Sequence, residues 1–258
     1  MSKRSFVDQM GTSIAPEFPP QRIISLVPSQ TELLADLGLS ARVVGITKFC
    51  IHPHTWLATK PLIGGTKHFD LEVIDRLQPD LIIGNKEENY REGIEILKKR
   101  YPVWMSDISD LAGALAMIRA VGDLTDTSPR AGLLAGDIER AFAQLRRHAA
   151  RSVLYLIWRK PWMAAGADTF IDSQLRRLGL RNTVATSRYP VLSPEEVSAL
   201  KPDLIFLSSE PYPFREKHIA ELQALCPAAQ VVLVDGEMFS WYGSRLLQAP
   251  AYFNALTF

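Results

Sequence analysis

The sequence predicts an α/β protein of two lobes, each a parallel-rich sheet flanked by helices, joined by one long interlobe helix. Three observations carry that reading. From residue 22 onward, short apolar, β-branched runs alternate with segments of helical period, the order that right-handed crossovers and parallel sheets produce. The segment 70–83, DLEVIDRLQPDLII, returns at 193–206 as SPEEVSALKPDLIF, at a constant offset of 123 residues. Between the copies, 128–150 reads as a single helix. Leu134, Ile138, Ala141, Phe142 and Leu145 recur at three- and four-residue steps, and Asp137, Glu139, Arg140, Gln144, Arg146 and Arg147 fall mostly on the other side. The lobes are then 1–126 and 151–258, with 127–150 as the backbone helix between them. A surface helix inside one continuous domain would have the same periodicity, so the repeat is what favours two lobes.

Each element follows from local chemistry. Pro16, Pro19 and Pro20 exclude a helix from 5–20, which reads as an extended, turn-containing lead-in. The run 22–27, RIISLV, suits a fully buried parallel strand. Ser29 with Glu32 forms a capping-box pattern for the next helix, whose apolar face is Leu33, Leu34 and Leu37 and whose end is Gly38. Strands follow at 43–46, 80–83 and 103–105, with helices at 71–77, 92–99 and 111–121. Ser128 and Pro129 open the long helix, and Arg146, Arg147 and His148 crowd its last turn, where cations suit the dipole. The second half restarts with a strand at 153–158 and a helix at 169–178 ended by Gly179. Helices at 193–200, 214–225 and 244–255 then alternate with strands at 203–207 and 231–234.

Composition narrows the function classes. At 258 residues the chain can bury a large core, and 47% hydrophobic with 22% charged residues is ordinary for a globular protein, which excludes disordered and collagen-like chains. A net charge of +1 argues against a dedicated nucleic-acid or anionic-membrane surface, and no apolar run is long enough to span a bilayer. Residues 1–20 contain Lys3 and Arg4 but no apolar stretch after them, so no signal peptide is read there. Cys50 and Cys226 have no motif around them and read as free thiols. There is no GxSxG elbow, no GxGxxG after a strand and no P-loop. An enzyme is therefore disfavoured.

The run RIISLVPSQTELLADLGL, followed by VVGIT, LIGG and LEVIDRLQPDLII, resembles the cobalamin and ferric-siderophore solute-binding proteins of ABC importers, the group with a helical backbone between its lobes. The resemblance extends over nearly the whole chain and looks most like the vitamin B12 receptor branch. It implies a substrate-binding component of an ABC importer, with no intrinsic cofactor, that holds a corrinoid such as cobalamin or cobinamide, or a ferric-siderophore chelate, in the interlobe cleft. It also implies a monomer with an ABC transporter permease as partner, in the periplasm or at the cell surface. A native start at Met1 would instead place the protein in the cytoplasm. One glutamate per lobe docks such receptors onto permease arginines, and the matching positions are Glu72 and Glu195. An acidic residue in a first helical turn also suits the dipole without any docking role. One continuous helix between lobes resists bending, so small changes between free and bound forms are expected.

A flat chelate exposes apolar area with polar edges, so its receptor needs aromatic planes and a few hydrogen-bonding groups. Loops that follow strands offer Phe49, His68, Phe69, Asn85 and Tyr90 in the first lobe, and Trp158, Trp162, Tyr189, Tyr212, Trp241 and Tyr242 in the second. Taken singly, each aromatic would more often be core. Where the B12 receptors place a tryptophan before the first docking helix, this chain has Thr66-Lys67-His68. With Arg159 and Lys160, Lys67 favours an anionic cargo such as a ferric chelate. The alternatives are a bare zinc or manganese receptor built on His52, His54 and His68, an axial imidazole from His52 or His68 to a chelated metal, or a cytoplasmic ligand-binding or sensing protein, or an enzyme, that reuses the fold.

Overall fold

The computed structural model describes residues 2–258 and divides into two compact units. The first takes the chain up to Ile108, Ala112–Glu139 and Tyr242–Arg245. The second takes Ser109–Leu111, Arg140–Trp241 and Leu246–Phe258. Four residues near the C-terminus thus fold with the N-terminal half.

In the first unit the proline-rich lead-in makes two short antiparallel ribbons, β1 (Ser2–Lys3) with β4 (Glu17–Phe18) and β2 (Phe6–Val7) with β3 (Ser13–Ile14). The Arg4 guanidinium lies 5.2 Å and 4.9 Å from the Phe6 and Phe18 ring centres. The strand–helix scheme then runs through β5 (Ile23–Ser25), α1 (Pro28–Asp36), β6 (Val43–Ile46), α2 (His54–Thr59), α3 (Leu71–Leu77), β7 (Leu81–Asn85), α4 (Arg91–Lys98), β8 (Val103–Ser106) and α5 (Leu111–Leu124). The sheet order is β6-β5-β7-β8 and every pairing is parallel. β5, β7 and β8 are buried along their whole length, which is why they read as continuous apolar runs.

α1 departs from the expected capping box. Its N-cap is Val27, which makes no side-chain cap, and Pro28 is the first helical residue. Ser29 therefore sits inside the helix, and the Glu32 carboxylate is taken by Arg245 instead. Gly38 and Gly179 do end their helices, at φ 81° and 83°, a conformation that costs glycine little.

α6 (Ser128–Ala143) is the central helix, and it stops seven residues before the predicted end. Gln144 and Leu145 tighten to i−3 bonds, after which tertiary partners replace helical ones. Arg146 N donates to Asn254 Oδ1 at 2.8 Å and His148 N to the Leu178 carbonyl at 2.8 Å. The division between the units falls within this helix, after Glu139.

The second unit contains β9 (Ser152–Trp158), β10 (Trp162–Ala164), α7 (Phe170–Arg177), β11 (Arg181–Asn182), β12 (Val191–Leu192), α8 (Pro194–Ala199), β13 (Leu204–Ser208), α9 (Ile219–Leu225), β14 (Gln230–Val234), α10 (Gly236–Ser240) and α11 (Ala249–Ala255). Its sheet runs β12-β10-β9-β13-β14, with β11 also on β9. β9, β11, β13 and β14 pair in parallel, while β10 and β12 are antiparallel. Leu154, Leu156, Ile205, Leu207, Val197 and Leu222 lie at its core. Two predicted helices break in two. A 3-10 turn at Glu216–His218 precedes α9, and another at Ser244–Leu247 precedes α11, where Pro250 lies in the first turn.

The sequence repeat is a structural one. Asp70 caps α3 by accepting from Val73 N at 3.0 Å, and Ser193 caps α8 by accepting from Glu196 N at 3.2 Å. Both helices give way to a left-handed residue, Gln78 at φ 43° and Lys201 at φ 42°. Asp80 then accepts from Gln21 N and Arg22 N at 2.7 and 2.8 Å, and Asp203 from Ser152 N and Oγ at 2.7 Å each. Each aspartate thus pins the entry of its unit's first sheet strand beside the next one.

Candidate functional site

In open parallel sheets, ligands meet the loops at the carboxyl ends of the strands. In the first unit the loop after β6 presents Phe49, 51% exposed, with Lys48 Nζ 5.2 Å from its ring centre. Behind it the Cys50 thiol is buried between Thr31 Oγ1 at 3.0 Å and Thr47 Oγ1 at 3.1 Å, and burial pushes its pKa up. The next loop carries His68 and Phe69, whose rings lie 6.1 and 5.0 Å from that of Tyr90. Tyr90 is the N-cap residue of α4, and its ring lies so close to Gly93 that a methyl group there would fall 2.1 Å from it. Lys67 Nζ donates to the Glu87 carbonyl at 2.7 Å, and Asn89 Nδ2 to the Thr66 carbonyl at 3.1 Å, so the two loops are tied together.

Asn85 is 2% exposed and its amide is used inside the unit. Oδ1 accepts from the Glu87 and Glu88 amides at 2.8 and 3.1 Å, and Nδ2 donates to Ser106 Oγ at 3.0 Å. Tyr242 reaches this unit through the C-terminal excursion, where its hydroxyl donates to Glu88 Oε1 at 2.7 Å. Arg245 Nε donates to Glu32 Oε2 at 3.0 Å in the same excursion, with both side chains largely buried. Burial raises the Glu32 pKa, against the lowering effect of Arg245.

In the second unit Trp158 stands at the carboxyl end of β9, 39% exposed, and meets the Tyr212 ring edge-on at 5.6 Å. Tyr212 follows β13 and packs on Phe214 at 4.8 Å, while buried Trp162 stacks on Phe214 at 6.4 Å and 7°. Tyr212 Oη lies 3.3 Å from His218 Nε2, and Arg159 Nε donates to Glu221 Oε2 at 2.7 Å. Trp241 is 5% exposed and its Nε1 donates to Glu210 Oε1 at 2.8 Å, beside Ser240 Oγ at 2.7 Å. Burial raises the Glu210 pKa. Tyr189 is half-buried.

The structure thus brings His68, Phe69 and Tyr90 into one cluster, and Trp158, Tyr212, Phe214 and Trp162 into another. The His52 and His54 rings lie with their centres 4.9 Å apart, tilted at 55° to one another. Among the described residues no group of three or more His, Cys, Asp and Glu side chains is disposed to hold a metal ion. Glu72 and Glu195 are both exposed, each at the second residue of its helix, and Glu195 accepts from Ser193 Oγ at 2.7 Å. Sequence reasoning missed His218, Glu221, Glu32 and Arg245. Arg245 and Glu32 are 213 positions apart and Arg159 and Glu221 are 62 apart, so no local spacing could have paired them.

The family model described as periplasmic binding protein matches residues 23–230. The chain belongs to the periplasmic binding protein family. Among the curated members, the vitamin B12-binding protein of Pectobacterium carotovorum subsp. carotovorum (strain PC1) is 25% identical over 242 residues, covering 89% of this chain and 86% of its own. The periplasmic heme-binding protein from Roseiflexus sp. RS-1, in apo form, superposes with a TM-score of 0.76 at 24% identity, covering 91% and 98% of the two chains. The periplasmic catecholate-siderophore binding protein from Vibrio cholerae superposes with a TM-score of 0.79 at 15% identity, covering 99% and 100%. The two structural likenesses establish the fold. Like these periplasmic binding proteins, the chain is two-unit α/β, and among its described residues no helix is long and apolar enough to cross a membrane.

Proposed function

We propose that this protein is the solute-binding component of an ABC importer and carries a metal chelate, either a corrinoid or a ferric chelate, on the aromatic loops at the carboxyl ends of its strands. The observation that carries the reading is the alignment with a vitamin B12-binding protein along 89% of the chain. The loop chemistry supports it. Phe49, His68, Phe69 and Tyr90 in the first unit, and Trp158 and Tyr212 in the second, combine ring faces with polar edges, the surface a flat chelate needs. Asn85, Trp162, Trp241 and Tyr242 serve beneath them as supports whose hydrogen bonds or stacking hold the loops. Lys48, Lys67 and Arg159 bring positive charge to these loops, which favours an anionic cargo.

Glu72 and Glu195 occupy the same position in the repeated helix, one in each unit, and serve as the anchors for permease arginines. The protein works as a monomer in the periplasm or at the cell surface and performs no covalent chemistry on its cargo. Calorimetric titration of the metal-stripped protein with cyanocobalamin, cobinamide, a ferric hydroxamate, ferric heme and Zn²⁺ tests the reading. One-to-one binding of any of the four chelates is the expected result. Binding of Zn²⁺ alone, or of nothing, overturns it.

A further inference from the structure

The net charge of +1 hides an uneven distribution. Residues 144–190, all in the second unit, contain nine arginines and lysines against two aspartates. Three of these arginines, Arg147, Arg176 and Arg181, line one pocket of about 470 Å³, a volume in the range of small-molecule sites. The pocket sits at the amino ends of the strands. Arg181 begins β11 and pairs in register with Ser152, the first residue of β9, whereas Trp158 ends that strand. Six residues of extended chain separate Ser152 from Trp158, roughly 20 Å, so the pocket is remote from the aromatic loops of its unit.

Each arginine is brought there by a different part of the fold. Arg147 lies in the stretch that leaves the helical path after α6, where His148 N donates to the Leu178 carbonyl at 2.8 Å. That stretch packs on Gly179, at φ 83°. A methyl group at Gly179 would fall 3.0 Å from the His148 carbonyl oxygen and 3.5 Å from Arg147 Cβ, so the absence of a side chain admits Arg147. Arg176 closes the last turn of α7, its Nη1 3.0 Å from Oδ2 of Asp172 one turn earlier. The Asp172 side chain is 5% exposed, and its Oδ1 accepts from Asn182 Nδ2 at 3.0 Å. Asn182 also donates to the Ala165 carbonyl at 3.0 Å and accepts from Val184 N at 3.1 Å, which orders the loop beside Arg181.

Asp172 is the one carboxylate that lines the pocket, and it offsets one of three positive charges. Among the described residues Arg147 and Arg181 make no ion pair. Asp203, whose carboxylate feels Arg181, is already held by Ser152 N and Oγ at 2.7 Å each. Two unmatched guanidiniums at one pocket repel each other, and an anion with several oxygens relieves that repulsion. The planar fork of N–H donors on each fits phosphoryl oxygens bidentately. We propose that this pocket is a second binding site, which takes the phosphoryl dianion of a phosphate ester or pyrophosphate on Arg147 and Arg181, with Arg176, anchored by Asp172, completing it. A soluble phosphorylated solute and a phosphatidic acid headgroup share that chemistry. The site draws on no part of the chelate reading and stands or falls separately from it.

The test is calorimetric titration of the full chain with pyrophosphate and with phenyl phosphate, together with sedimentation on phosphatidylcholine vesicles with and without phosphatidic acid. The wild type is compared with Arg147→Gln, Arg181→Gln and Lys99→Gln. The expected result is binding of at least one of the three phosphoryl compounds, one-to-one where it is soluble. Each arginine variant should weaken that binding about tenfold or more, because each removes charge-assisted hydrogen bonds. Lys99→Gln should leave it unchanged, since Lys99 is an exposed residue of the first unit that loses the same charge. Both arginines are exposed and without ion pairs, so their variants should melt as the wild type does. Binding of the soluble compounds identifies a phosphorylated solute as a source. Sedimentation only with phosphatidic acid, lost in the arginine variants, identifies a lipid headgroup, and either result supports the site. No binding to any of the three overturns it, as does binding that the arginine replacements leave unchanged or that Lys99→Gln weakens equally.

Discussion

The two units share a scaffold and differ in the chemistry they place above it. In each, a capped helix with glutamate at its second position leads through a left-handed residue and an aspartate into a buried strand. Past the strand end they diverge. In the first unit the floor beneath the loops is made of neutral groups, Gln30 Nε2 and Asn85 Nδ2 both donating to Ser106 Oγ at 2.7 and 3.0 Å. In the second, Tyr155 donates to Ser208 Oγ at 3.1 Å, the Glu210 carboxyl is buried, Tyr212 Oη lies 3.3 Å from His218 Nε2, and Arg159 pairs with Glu221. The repeat preserves what positions loops and leaves free what the loops present. Neutral amides and hydroxyls keep their hydrogen bonds at any pH, whereas the second unit's buried carboxyl and imidazole can exchange protons.

The largest expected effect is at Arg245. Arg245→Leu leaves the Glu32 carboxylate in a site where its side chain is only 14% exposed, and a loss of about 3 kcal/mol is expected in urea unfolding at pH 7. Burial raises the native Glu32 pKa above 4.5, so its contribution is most favourable below that pH and is lost as pH rises through the native value. The variant should therefore recover part of its deficit at pH 5, and adding Glu32→Gln should recover part of it at pH 7. A deficit indifferent to both would mean that the excursion is held by packing rather than by this pair.

The caps come next. Asp70→Ala and Ser193→Ala should each cost about 1 kcal/mol, because each removes the acceptor of one first-turn N–H in the repeated helix. If one of the pair is silent by thermal melting, the two helices are not energetically equivalent despite their shared geometry.

A smaller, pH-dependent difference separates the units at His218. Its pKa lies below the usual 6.5, so its contribution is present above pH 6.5 and is lost as pH falls through the native value. This sign is opposite to that of Glu32. His218→Asn should flatten the slope of stability against pH below 6.5, and an unchanged slope would locate that titration elsewhere. The smallest expected effect on stability is at Glu72 and Glu195. Replacing both with lysine should leave chelate affinity unchanged and lower the melting midpoint only slightly, through the helix dipoles, while abolishing stimulation of the transporter's ATPase in vesicles. Stimulation that survives the double replacement would remove the docking role from both positions.

Much of this architecture is legible in the sequence because it rests on short-range rules. Val43–Ile46 is predicted and observed with the same bounds, and Gly38 and Gly179 stop the helices they were expected to stop. The errors arise where a distant group competes with a local one. Ser29 and Glu32 have the spacing of a capping box, but Arg245 claims the carboxylate and leaves Ser29 Oγ with no hydrogen-bond partner among the described residues. Residues 144–150 have helical periodicity, but Asn254 and Leu178 supply the bonds that a longer helix would have made internally.

The candidate site divides in the same way. That Phe49, His68, Tyr90 and Tyr212 lie in loops after strands, and Trp158 at a strand's carboxyl end, follows from period and punctuation alone. That Tyr212 has the His218 imidazole 3.3 Å from its oxygen, while Asn85 spends its amide inside its own turn, does not. The sequence alone determined the strand–helix alternation, the repeat and the family, because periodicity, caps and turn residues act over a few positions. Tertiary structure alone decided which side chains meet, and sent Tyr242–Arg245 into the first unit, because burying a charge or a hydroxyl requires a partner and that partner can lie anywhere along the chain.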